Sequence, residues 1–346
     1  MSLGCEEMLN WLREEAPARL ALLWKQADDV RRQFVGDEVH LRGLIEISNH
    51  CVRRCSYCGI NAGNNDLPRY RMDAEEILGC AREAMALGYK TVVLQSGEDY
   101  GLSRSFVSEV VRAIKSETGL AVTLSLGERP EEDLAKWRAA GASRYLLRFE
   151  TSDEELYSRV HPPFAKGAPN RLALLEELKK LGYETGSGVM VGLPGQTYEC
   201  LARDIDLFRQ LDLDMIGVGP YIFHPATELG RRRPAPIPGQ VPATELMALK
   251  VVALSRLVCP EANIPATTAL SAVDRREGYE MALRRGANVI MPNITPAKYR
   301  VLYDIYPGKA HADEAPEDAA LSIRGRIEAL GRSVGTGPGG RRRRRV

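Results

Sequence analysis

Short apolar strands alternate with amphipathic helices along most of this 346-residue chain, and that alternation constrains its fold more than any other feature. Runs rich in β-branched and apolar residues, followed by helical patterns of about ten to fifteen residues, are typical of parallel βαβ units. The pattern predicts eight strands, at Leu41–Ser48, Thr91–Gln95, Ala121–Leu126, Arg144–Phe149, Glu184–Val191, Met215–Pro220, Ile264–Ala269 and Asn288–Met291. Eight such units close into a complete (β/α)8 TIM-type barrel of the α/β class.

The stretches between the strands carry apolar residues three to four positions apart, which predicts helices on the outside of the barrel. They are Asp73–Leu87, Arg104–Glu117, Glu131–Ala140, Arg171–Leu181, Tyr198–Leu211, Ala243–Leu257 and Gly278–Arg285. The predicted division of the chain is an N-terminal helical extension at 1–40, the barrel at 41–310, a C-terminal helix packing on the barrel at 311–335 and a basic tail at 336–346.

Each predicted strand runs directly into polar or glycine-containing sequence, and in a barrel of parallel strands these ends share one rim. Active sites of this fold lie at that C-terminal rim, because the loops there converge on the central cavity. The segments are Ser48-Asn49, Ser96-Gly97-Glu98-Asp99, Gly127-Glu128, Glu150-Thr151, Gly192-Leu193-Pro194-Gly195, His224-Pro225, Thr267-Thr268 and Pro292-Asn293. We therefore expect cofactor and substrate to bind at this rim.

Three cysteines in the loop after the first predicted strand, Cys51, Cys55 and Cys58, form the pattern C-x3-C-x2-C. A 4Fe–4S cluster has four irons, so three thiolates leave one iron open for another ligand, whereas an electron-carrying cluster takes a fourth protein thiolate. A zinc site with His50 as the fourth ligand is one alternative, and purely structural cysteines are another. The spacing and the position at a strand end favour the cluster.

The rest of the composition argues against several classes of function. Cys5, Cys80, Cys200 and Cys259 stand singly and are interpreted as small apolar residues with free thiols, not as disulfide partners. The chain carries 47 Lys and Arg against 46 Asp and Glu, so no overall field favours nucleic acid or an anionic membrane. No apolar run is long enough to span a bilayer and no secretory signal begins the chain, so a cytoplasmic location is expected.

The end of the chain is unusual because five consecutive arginines, from Arg341 to Arg345, follow a glycine-rich stretch. Like charges repel each other and extend the backbone. The run therefore predicts a solvated, flexible end. A binding arm for an acidic partner is the alternative.

The cysteine spacing, with Tyr57 directly before Cys58, resembles the signature of the radical S-adenosylmethionine (SAM) superfamily. In those enzymes the open iron binds the amino and carboxylate groups of SAM. Ser96-Gly97-Glu98 follows the second predicted strand and resembles the Gly-Gly-Glu segment that binds the methionyl amine in the superfamily. A glycine there lets the backbone approach the ligand, and backbone carbonyls accept hydrogen bonds from an ammonium group.

Two charged residues near the end of the fourth predicted strand, Arg148 and Glu150, are two positions apart and therefore point to the same side of the sheet. A buried Arg–Glu pair is costly unless its geometry is excellent. The pair is either an internal salt bridge or a set of ligands for the carboxylate and the ribose or amine of SAM. Arg171, at the start of the following helix, offers a bidentate fork to the SAM carboxylate. Met190 fits the core and a cofactor contact equally well.

A larger set of segments resembles the FeFe-hydrogenase maturase HydE family, over about residues 40 to 310. The segments are Ile45-Glu46-Ile47-Ser48-Asn49, Arg69-Tyr70-Arg71-Met72, Val93-Leu94-Gln95-Ser96-Gly97-Glu98-Asp99, Val122-Thr123-Leu124-Ser125-Leu126-Gly127-Glu128, Arg144-Tyr145-Leu146-Leu147-Arg148, Val191-Gly192-Leu193-Pro194-Gly195-Gln196-Thr197, Ile264-Pro265-Ala266-Thr267-Thr268 and Gly286-Ala287-Asn288-Val289-Ile290-Met291-Pro292-Asn293. The resemblance is specific as a set. It implies a radical SAM enzyme with a complete barrel, one SAM-binding 4Fe–4S cluster and a large internal cavity.

Residue by residue, the resemblance assigns one group of positions to SAM and another to a substrate cavity. The SAM positions are Tyr57, Ser96, Ser125, Arg148, Glu150, Arg171 and Met190, in addition to Gly97 and Glu98, and the cavity positions are Arg42, Gln95, Thr123, Arg144, Met215, Thr267, Thr268, Met291 and Tyr303. Family members act on a mononuclear iron complex that carries cysteine, carbon monoxide and cyanide ligands. The resemblance implies that SAM is cleaved reductively to a 5′-deoxyadenosyl radical, which attacks the cysteine sulfur during maturation of the hydrogenase H-cluster. It also implies an electron donor and maturation proteins as partners.

The sequence departs from the family in one respect, and it leaves two other functions open. Some relatives bind a second cluster through further cysteines, but no cysteine follows Cys259, so one cluster is expected here. A methylornithine synthase-like lysine mutase of the same superfamily is the nearest alternative function. A non-catalytic carrier that delivers an iron complex to a partner is the other. Reductive cleavage of SAM separates enzyme from carrier, and a test with lysine separates mutase from maturase.

Overall fold

The computed structural model describes residues 3–162, 170–309 and 316–341, and within them parallel strands form a barrel surrounded by helices. The barrel strands are β1 (Glu38–Ser48), β2 (Thr91–Ser96), β3 (Ala121–Ser125), β4 (Ala142–Leu146), β5 (Glu184–Val191), β6 (Met215–Pro220), β7 (Pro265–Ala266) and β8 (Val289–Ile290). Hydrogen-bonded neighbours run in the order β6-β5-β4-β3-β2-β1-β8-β7. The predicted (β/α)8 barrel of the α/β class is confirmed.

The barrel closes between β6 and β7 through one residue, Asn263, which precedes β7. Its amide donates to the Asp214 carbonyl over 2.9 Å, and its carbonyl accepts from the Ile216 amide over 2.9 Å. Strands β7 and β8 are shorter than the sequence predicts, and a further short strand, β9 (Ser333–Val334), pairs in parallel with the start of β1. The final strands therefore complete the barrel with shorter ladders than those between β1 and β6.

The outer helices begin at capping residues that the sequence supplies. The Asp73 side chain accepts from the Glu76 amide and the Glu76 side chain accepts from the Asp73 amide, which is a capping box. Ser103, Thr197 and Thr244 cap three other helices through their hydroxyl oxygens. The helices are α1 (Cys5–Arg13), α2 (Pro17–Val35), α3 (Ala74–Ala86), α4 (Arg104–Thr118), α5 (Glu131–Ala140), α6 (Glu154–Val160), α7 (Arg171–Lys180), α8 (Tyr198–Gln210), α9 (Glu228–Arg232), α10 (Glu245–Val258), α11 (Thr268–Val273), α12 (Gly278–Leu283), α13 (Ala297–Arg300) and α14 (Pro316–Ala329).

Helix α10 is buried around most of its circumference because α1, α2 and α8 cover it on the outside of the barrel. Lys250 on α10 donates to the Leu12 carbonyl over 2.9 Å, and Arg256 donates to the Gly286 carbonyl over 2.9 Å. These bonds tie the N-terminal helices and the β8 side of the barrel to one central helix. In the part of the chain that the structure describes, no helix has the length and apolar character needed to cross a membrane.

Strand β4 ends earlier than the sequence predicts, at Leu146 and not at Phe149. The Ser187 hydroxyl donates to the Leu147 carbonyl over 2.8 Å and accepts from the Phe149 amide over 3.2 Å, so a side chain interrupts the ladder with β5. Directly beyond this point Glu150 adopts a φ of 65°, in the left-handed region that residues other than glycine rarely occupy. The chain therefore leaves β4 in a turn.

The C-terminal residues 336–341 lie across the amino-terminal end of the barrel, where Gly339 is buried while Thr336 and Pro338 are exposed. The arginine run predicts a solvated end, and Arg341 is the member of that run that the structure describes. Arg341 forms ion pairs with Asp212 at 2.6 Å, with Asp214 at 3.3 Å and with Glu261 at 3.5 Å. Three carboxylates around one guanidinium outweigh the repulsion between neighbouring arginines at this position. The rest of the run, 342–346, lies outside the described residues, and the domain boundaries at 40, 310 and 335 stay predictions.

Candidate active site

The loop that follows β1 carries Cys51, Cys55 and Cys58 at the carboxyl end of the barrel, where all three line one cavity of about 250 Å³. This loop is bonded to the loop after β2, because the Glu98 amide donates to the Cys51 sulfur over 3.4 Å. A Cβ on Gly97 would lie 2.2 Å from the carbonyl oxygen of the residue before Cys51. The segment after β2 therefore needs a glycine so that the two loops can pack together.

The three thiols fit a 4Fe–4S cluster in number, placement and burial. All three are free cysteines, and burial raises the pKa of Cys55 to about 12. A thiolate in such a place requires positive charge beside it, which iron supplies. His50, the fourth ligand of the zinc alternative, does not line the cavity. Among the described residues, no three His, Cys, Asp or Glu side chains are grouped to hold a single metal ion.

The residues predicted to bind SAM line the same cavity as the cysteines. The ends of β2, β3 and β5, the turn after β4, the start of α7 and the cysteine loop bring them there. They are Tyr57, Ser96, Gly97, Glu98, Ser125, Arg148, Glu150, Arg171 and Met190. Their contact with SAM stays a prediction, but the structure brings them all together.

Two arginines and two glutamates form a buried ion-pair network beside this cavity. Arg53 pairs with Glu98 at 2.7 Å and also with Glu128. Arg171 pairs with Glu128 at 2.8 Å and with Glu98 at 3.8 Å. Burial raises the pKa of Glu128, but the His161 ring nitrogen 3.8 Å away and the charge and hydrogen bond of Arg171 outweigh that effect and bring the pKa to about 2. The four formal charges cancel, so this network, the paired wall of the cavity, has no net charge before a ligand binds.

Arg171 is therefore less free than the sequence predicts. Its Nε donates to Glu128 over 2.8 Å and its Nη1 to the Arg148 carbonyl over 2.6 Å. Only Nη2, at 3.8 Å from Glu98, has no short hydrogen bond among those described. Two of the five N–H groups of this guanidinium are therefore occupied, which leaves one on Nη1 and two on Nη2 for a SAM carboxylate.

Arg148 and Glu150 make the predicted pair, although neither lies on a strand. Their charged atoms are 3.3 Å apart, yet Arg148 Nε and Glu150 Oε2 are buried without a hydrogen-bond partner among the described residues. Buried polar atoms are nearly always hydrogen-bonded in folded proteins. The left-handed backbone of Glu150 costs on the order of 1 kcal/mol, and such strain clusters at ligand sites. An internal salt bridge and a ligand site both fit this pair.

A second cavity of about 180 Å³ lies deeper in the barrel and shares Gln95, Ser125 and Arg148 with the first cavity. Most of the residues predicted to bind substrate line it: Arg42, Gln95, Thr123, Met215, Thr267, Thr268 and Met291. Tyr303 lines the first cavity instead, and its hydroxyl accepts from Gln95 over 3.2 Å. The shared residues make the two cavities direct neighbours.

Arg144 lines neither cavity, in contrast to the prediction. It lies in the middle of β4, and its side chain reaches towards the amino end of the barrel, where its Nε donates to Glu184 over 2.6 Å and its Nη1 to Thr91 over 3.1 Å. The sequence identifies the strand that carries Arg144, but not how far along the barrel axis its side chain lies. Arg144 therefore does not contact a ligand in either cavity, although its charge acts on Arg42.

Arg42 is a buried cation of the second cavity, and it is 3% exposed. Its Nη1 contacts the Met215 sulfur at 3.1 Å and its Nη2 donates to the Gly339 carbonyl over 2.9 Å, while its Nε has no hydrogen-bond partner among the described residues. Burial, with a smaller contribution from Arg144, lowers the pKa of Arg42 to about 9. Among the described residues Arg42 has no carboxylate partner, so the cavity favours an anion.

Sequence reasoning missed several residues that line the two cavities or lie beside them. Glu128 follows β3 at the predicted rim, so its position was the available signal. His161, whose Nδ1 lies 3.0 Å from the Cys55 sulfur, follows a helix and had no such signal. Lys309, which forms a buried ion pair with Glu46 in the second cavity, lies in a loop far along the chain.

Comparison with known proteins places this geometry among related enzymes. Residues 45–208 match the model of the Radical SAM superfamily. Over 321 residues the chain is 48% identical to the FeFe-hydrogenase maturase subunit HydE of Thermotoga maritima, which covers 93% of this chain and 89% of that protein.

Two further similarities concern methylornithine synthases. The 3-methylornithine synthase of Methanosarcina acetivorans is 28% identical over 331 residues, 95% of this chain and 88% of that protein. The crystal structure of a methylornithine synthase superposes with a TM-score of 0.82 at 25% identity, over 97% of this chain and 95% of that one. The barrel fold is thus shared with a protein whose sequence is only 25% identical.

Proposed function

Since this chain belongs to the HydE family of FeFe-hydrogenase maturases, within the radical SAM superfamily, we propose that it binds one 4Fe–4S cluster and SAM in the 250 Å³ cavity. Cys51, Cys55 and Cys58 would hold the cluster. When bound, the cluster supplies the electron that cleaves SAM to methionine and a 5′-deoxyadenosyl radical. The presence of all three thiols and every predicted SAM residue in one cavity is the observation that carries this proposal.

The chain's own residues orient SAM in this proposal. The unsatisfied Nε of Arg148 and Oε2 of Glu150 offer one donor and one acceptor to the cofactor. Ser96 and Gly97 present backbone carbonyls to the methionyl ammonium group, and Arg171 presents its remaining N–H groups to the carboxylate. The paired wall behind them is already neutral and needs no rearrangement when SAM binds. The free energy of SAM binding is therefore used to position the cofactor.

The substrate that the second cavity supports best is an anionic iron complex carrying cysteine, carbon monoxide and cyanide. Arg42 supplies a buried positive charge that forms no ion pair with a described carboxylate. Thr267 and Thr268 add hydroxyl groups, and Gln95 adds an amide at the boundary with the first cavity. Because the two cavities share wall residues, a radical formed in one reaches the cysteine sulfur in the other without crossing solvent.

A lysine mutase of the methylornithine synthase type is the second candidate, because such a synthase shares the fold with a TM-score of 0.82. Its substrate is a zwitterion, which needs a carboxylate partner in the cavity as well as a cation. Glu46 lines the second cavity but already pairs with Lys309. The lone cation Arg42 therefore favours the maturase over the mutase.

The test is anaerobic reconstitution of the full chain followed by reduction with dithionite in the presence of SAM. We expect 5′-deoxyadenosine to form, its yield to rise with the cysteine-ligated iron complex, and lysine to have no effect. Formation of methylornithine from lysine would replace the maturase with the mutase. No cleavage of SAM by a protein with a complete cluster would leave only the carrier.

The remaining parts of the proposal concern its setting in the cell. An electron donor must reduce the cluster, and maturation proteins must supply the iron complex and receive the product. We place the protein in the cytoplasm with these partners. Restoration of hydrogenase activity in an extract that lacks only this protein tests the whole assignment.

A further inference from the structure

We infer that the C-terminal segment 338–341 acts as a floor beneath the residues that line the substrate cavity and positions Arg42 among them. The segment lies at the end of the barrel opposite to the cysteines, and nothing in the cluster or SAM chemistry requires it. Its identity as a floor stands on the geometry alone. What the cavity holds rests on the proposed function.

The backbone of the segment reaches residues that line the cavity. The Gly339 carbonyl accepts from Arg42 Nη2 over 2.9 Å and from Asn263 Nδ2 over 3.0 Å, and both of these residues line the second cavity. The Pro338 carbonyl accepts from the Thr91 hydroxyl over 2.9 Å. Two successive carbonyls thus bond to β1, to β2 and to the residue that closes the barrel.

Glycine is required at the point where the segment passes under the barrel. Gly339 has a φ of 62°, and a Cβ on it would lie 2.4 Å from the His40 ring. By contrast, a Cβ on Gly337, two residues earlier, would meet nothing within 4 Å. The chain offers a matched pair of positions, one that cannot accept a side chain and one that can.

Arg341 fastens the end of the segment to the barrel. Its ion pairs with Asp212, Asp214 and Glu261 join it to the residues before β6 and before β7, and its side chain is 15% exposed. Loss of this anchor frees the Gly339 carbonyl from its place under Arg42. Arg341 therefore acts on the cavity indirectly, through the backbone of the segment.

The position of Arg42 depends on this carbonyl because its other described contact is a sulfur, which is a weak acceptor. With the segment in place, the guanidinium is held at one end and its Nε stays available to a ligand. Without the segment, water enters from the amino end and solvates the cation. A solvated arginine attracts an anion much less strongly than a buried one.

The first experiment measures the exposure of Arg42 directly. Phenylglyoxal modifies accessible guanidinium groups, and peptide mass spectrometry reports the rate at Arg42 in the reconstituted full-length protein. We expect Arg42 to be protected in the wild type and in Gly337→Ala, and to react about tenfold faster in Gly339→Ala. Equal protection in the two variants would overturn the inference.

A second pair of variants covers the case in which Gly339→Ala fails to fold. Arg341→Ala removes the anchor, whereas deletion of residues 342–346 keeps it. We expect Arg341→Ala to expose Arg42 and to raise the KM for the iron complex about tenfold, with a smaller change in kcat. The deletion should match the wild type, and Arg341→Lys should recover part of the loss.

The outcomes separate this inference from the proposed function. If Arg42 reacts at the wild-type rate in Arg341→Ala, the floor does not exist, whatever the enzyme does. If labelling follows the expected pattern but the iron complex is not a substrate, the floor stands and the maturase assignment falls. A KM that rises without any change in labelling also contradicts the positioning of Arg42 by the segment.

Discussion

The two cavities of this barrel treat buried charge in opposite ways. Beside the cysteine cavity, Arg53 and Arg171 are paired with Glu98 and Glu128, so the wall is neutral before any cofactor binds. In the deeper cavity Arg42 is held by a carbonyl and a sulfur, with no carboxylate partner among the described residues. A paired wall supports a rigid cofactor site, whereas a lone cation reserves its charge for an incoming anion.

The largest effect we expect is at the cysteines. Cys55→Ala should abolish both the cluster and the cleavage of SAM, because two thiolates cannot retain the 4Fe–4S core. Iron analysis and absorbance after anaerobic reconstitution measure this, with about four irons per chain in the wild type. Cys259→Ala, which removes a buried thiol elsewhere, should keep its iron. About eight irons per chain would show a second cluster and contradict the single-cluster prediction.

Breaking the paired wall should destabilise the fold strongly. Glu128→Gln leaves Arg53 and Arg171 each short of a partner, and we expect the free energy of unfolding to fall by about 3 kcal/mol. The control is Glu132→Gln, because Glu132 makes an exposed ion pair with Arg104. That control should change stability by less than about 0.5 kcal/mol. Equal effects in urea titrations of the two variants would mean that the wall is not a paired network.

The same wall predicts a pH dependence of stability. The pKa of Glu128 is about 2 in the folded state against an ordinary 4.5, so its ionised form stabilises the fold. This contribution is complete above about pH 5 and is lost as the pH falls towards 2, a change of about 2–3 kcal/mol. The stability difference between wild type and Glu128→Gln should therefore shrink between pH 6 and pH 3. A constant difference would assign the loss in the variant to packing and not to charge.

Arg171 sharpens the comparison because it belongs to the wall and faces the cofactor. Arg171→Ala should weaken SAM binding by about 1.5–3 kcal/mol while the cluster spectrum stays unchanged. Calorimetric titration with SAM measures this, and Arg159→Ala, at an exposed arginine paired with Glu155, is the control. Unchanged affinity would restrict Arg171 to the structural wall.

The smallest effect on stability should come from the lone cation. Arg42→Met removes a buried charge that is not paired, so the free energy of unfolding should change by about 1 kcal/mol or less. Turnover of the iron complex should nevertheless suffer, with a KM raised about tenfold. A loss of stability as large as that of Glu128→Gln would show that Arg42 is structural, and the contrast between the cavities would disappear.

The rim of the site was predictable because parallel strands place their carboxyl ends together. Cys51 was found from motif spacing and Ser96 from the segment after the second strand, whereas Ser125 and Met190 came from the resemblance to the family; all four line one cavity. Arg148 and Glu150 also line it, but the alternation of side chains along a strand does not place them there, since β4 ends before them. The hydroxyl of Ser187 ends β4 early, and no local pattern reveals a side chain that replaces a ladder hydrogen bond.

Other parts of the site depend on partners far along the chain. Arg144 looks like a cavity residue in sequence, yet Glu184 and Thr91 hold it near the amino end of the barrel. The arginine run predicts a solvated tail. The sequence does not reveal the ion pairs of Arg341, because their carboxylates come from distant loops. Sequence patterns describe one element at a time, whereas these placements arise from contacts between elements.

The strand order has a consequence for how the protein acquires its cofactor. Strands β1 to β6 are neighbours in space in the order of their synthesis, but β1 must also pair with β8, where His40 lies opposite Val289. The cysteine loop thus leaves the ribosome long before the strands and the C-terminal residues that enclose the pocket. Domains of this size fold as units once their long-range contacts are available. We expect cluster insertion to await the finished chain, so cells short of iron should accumulate a folded apoprotein and not a stalled nascent one.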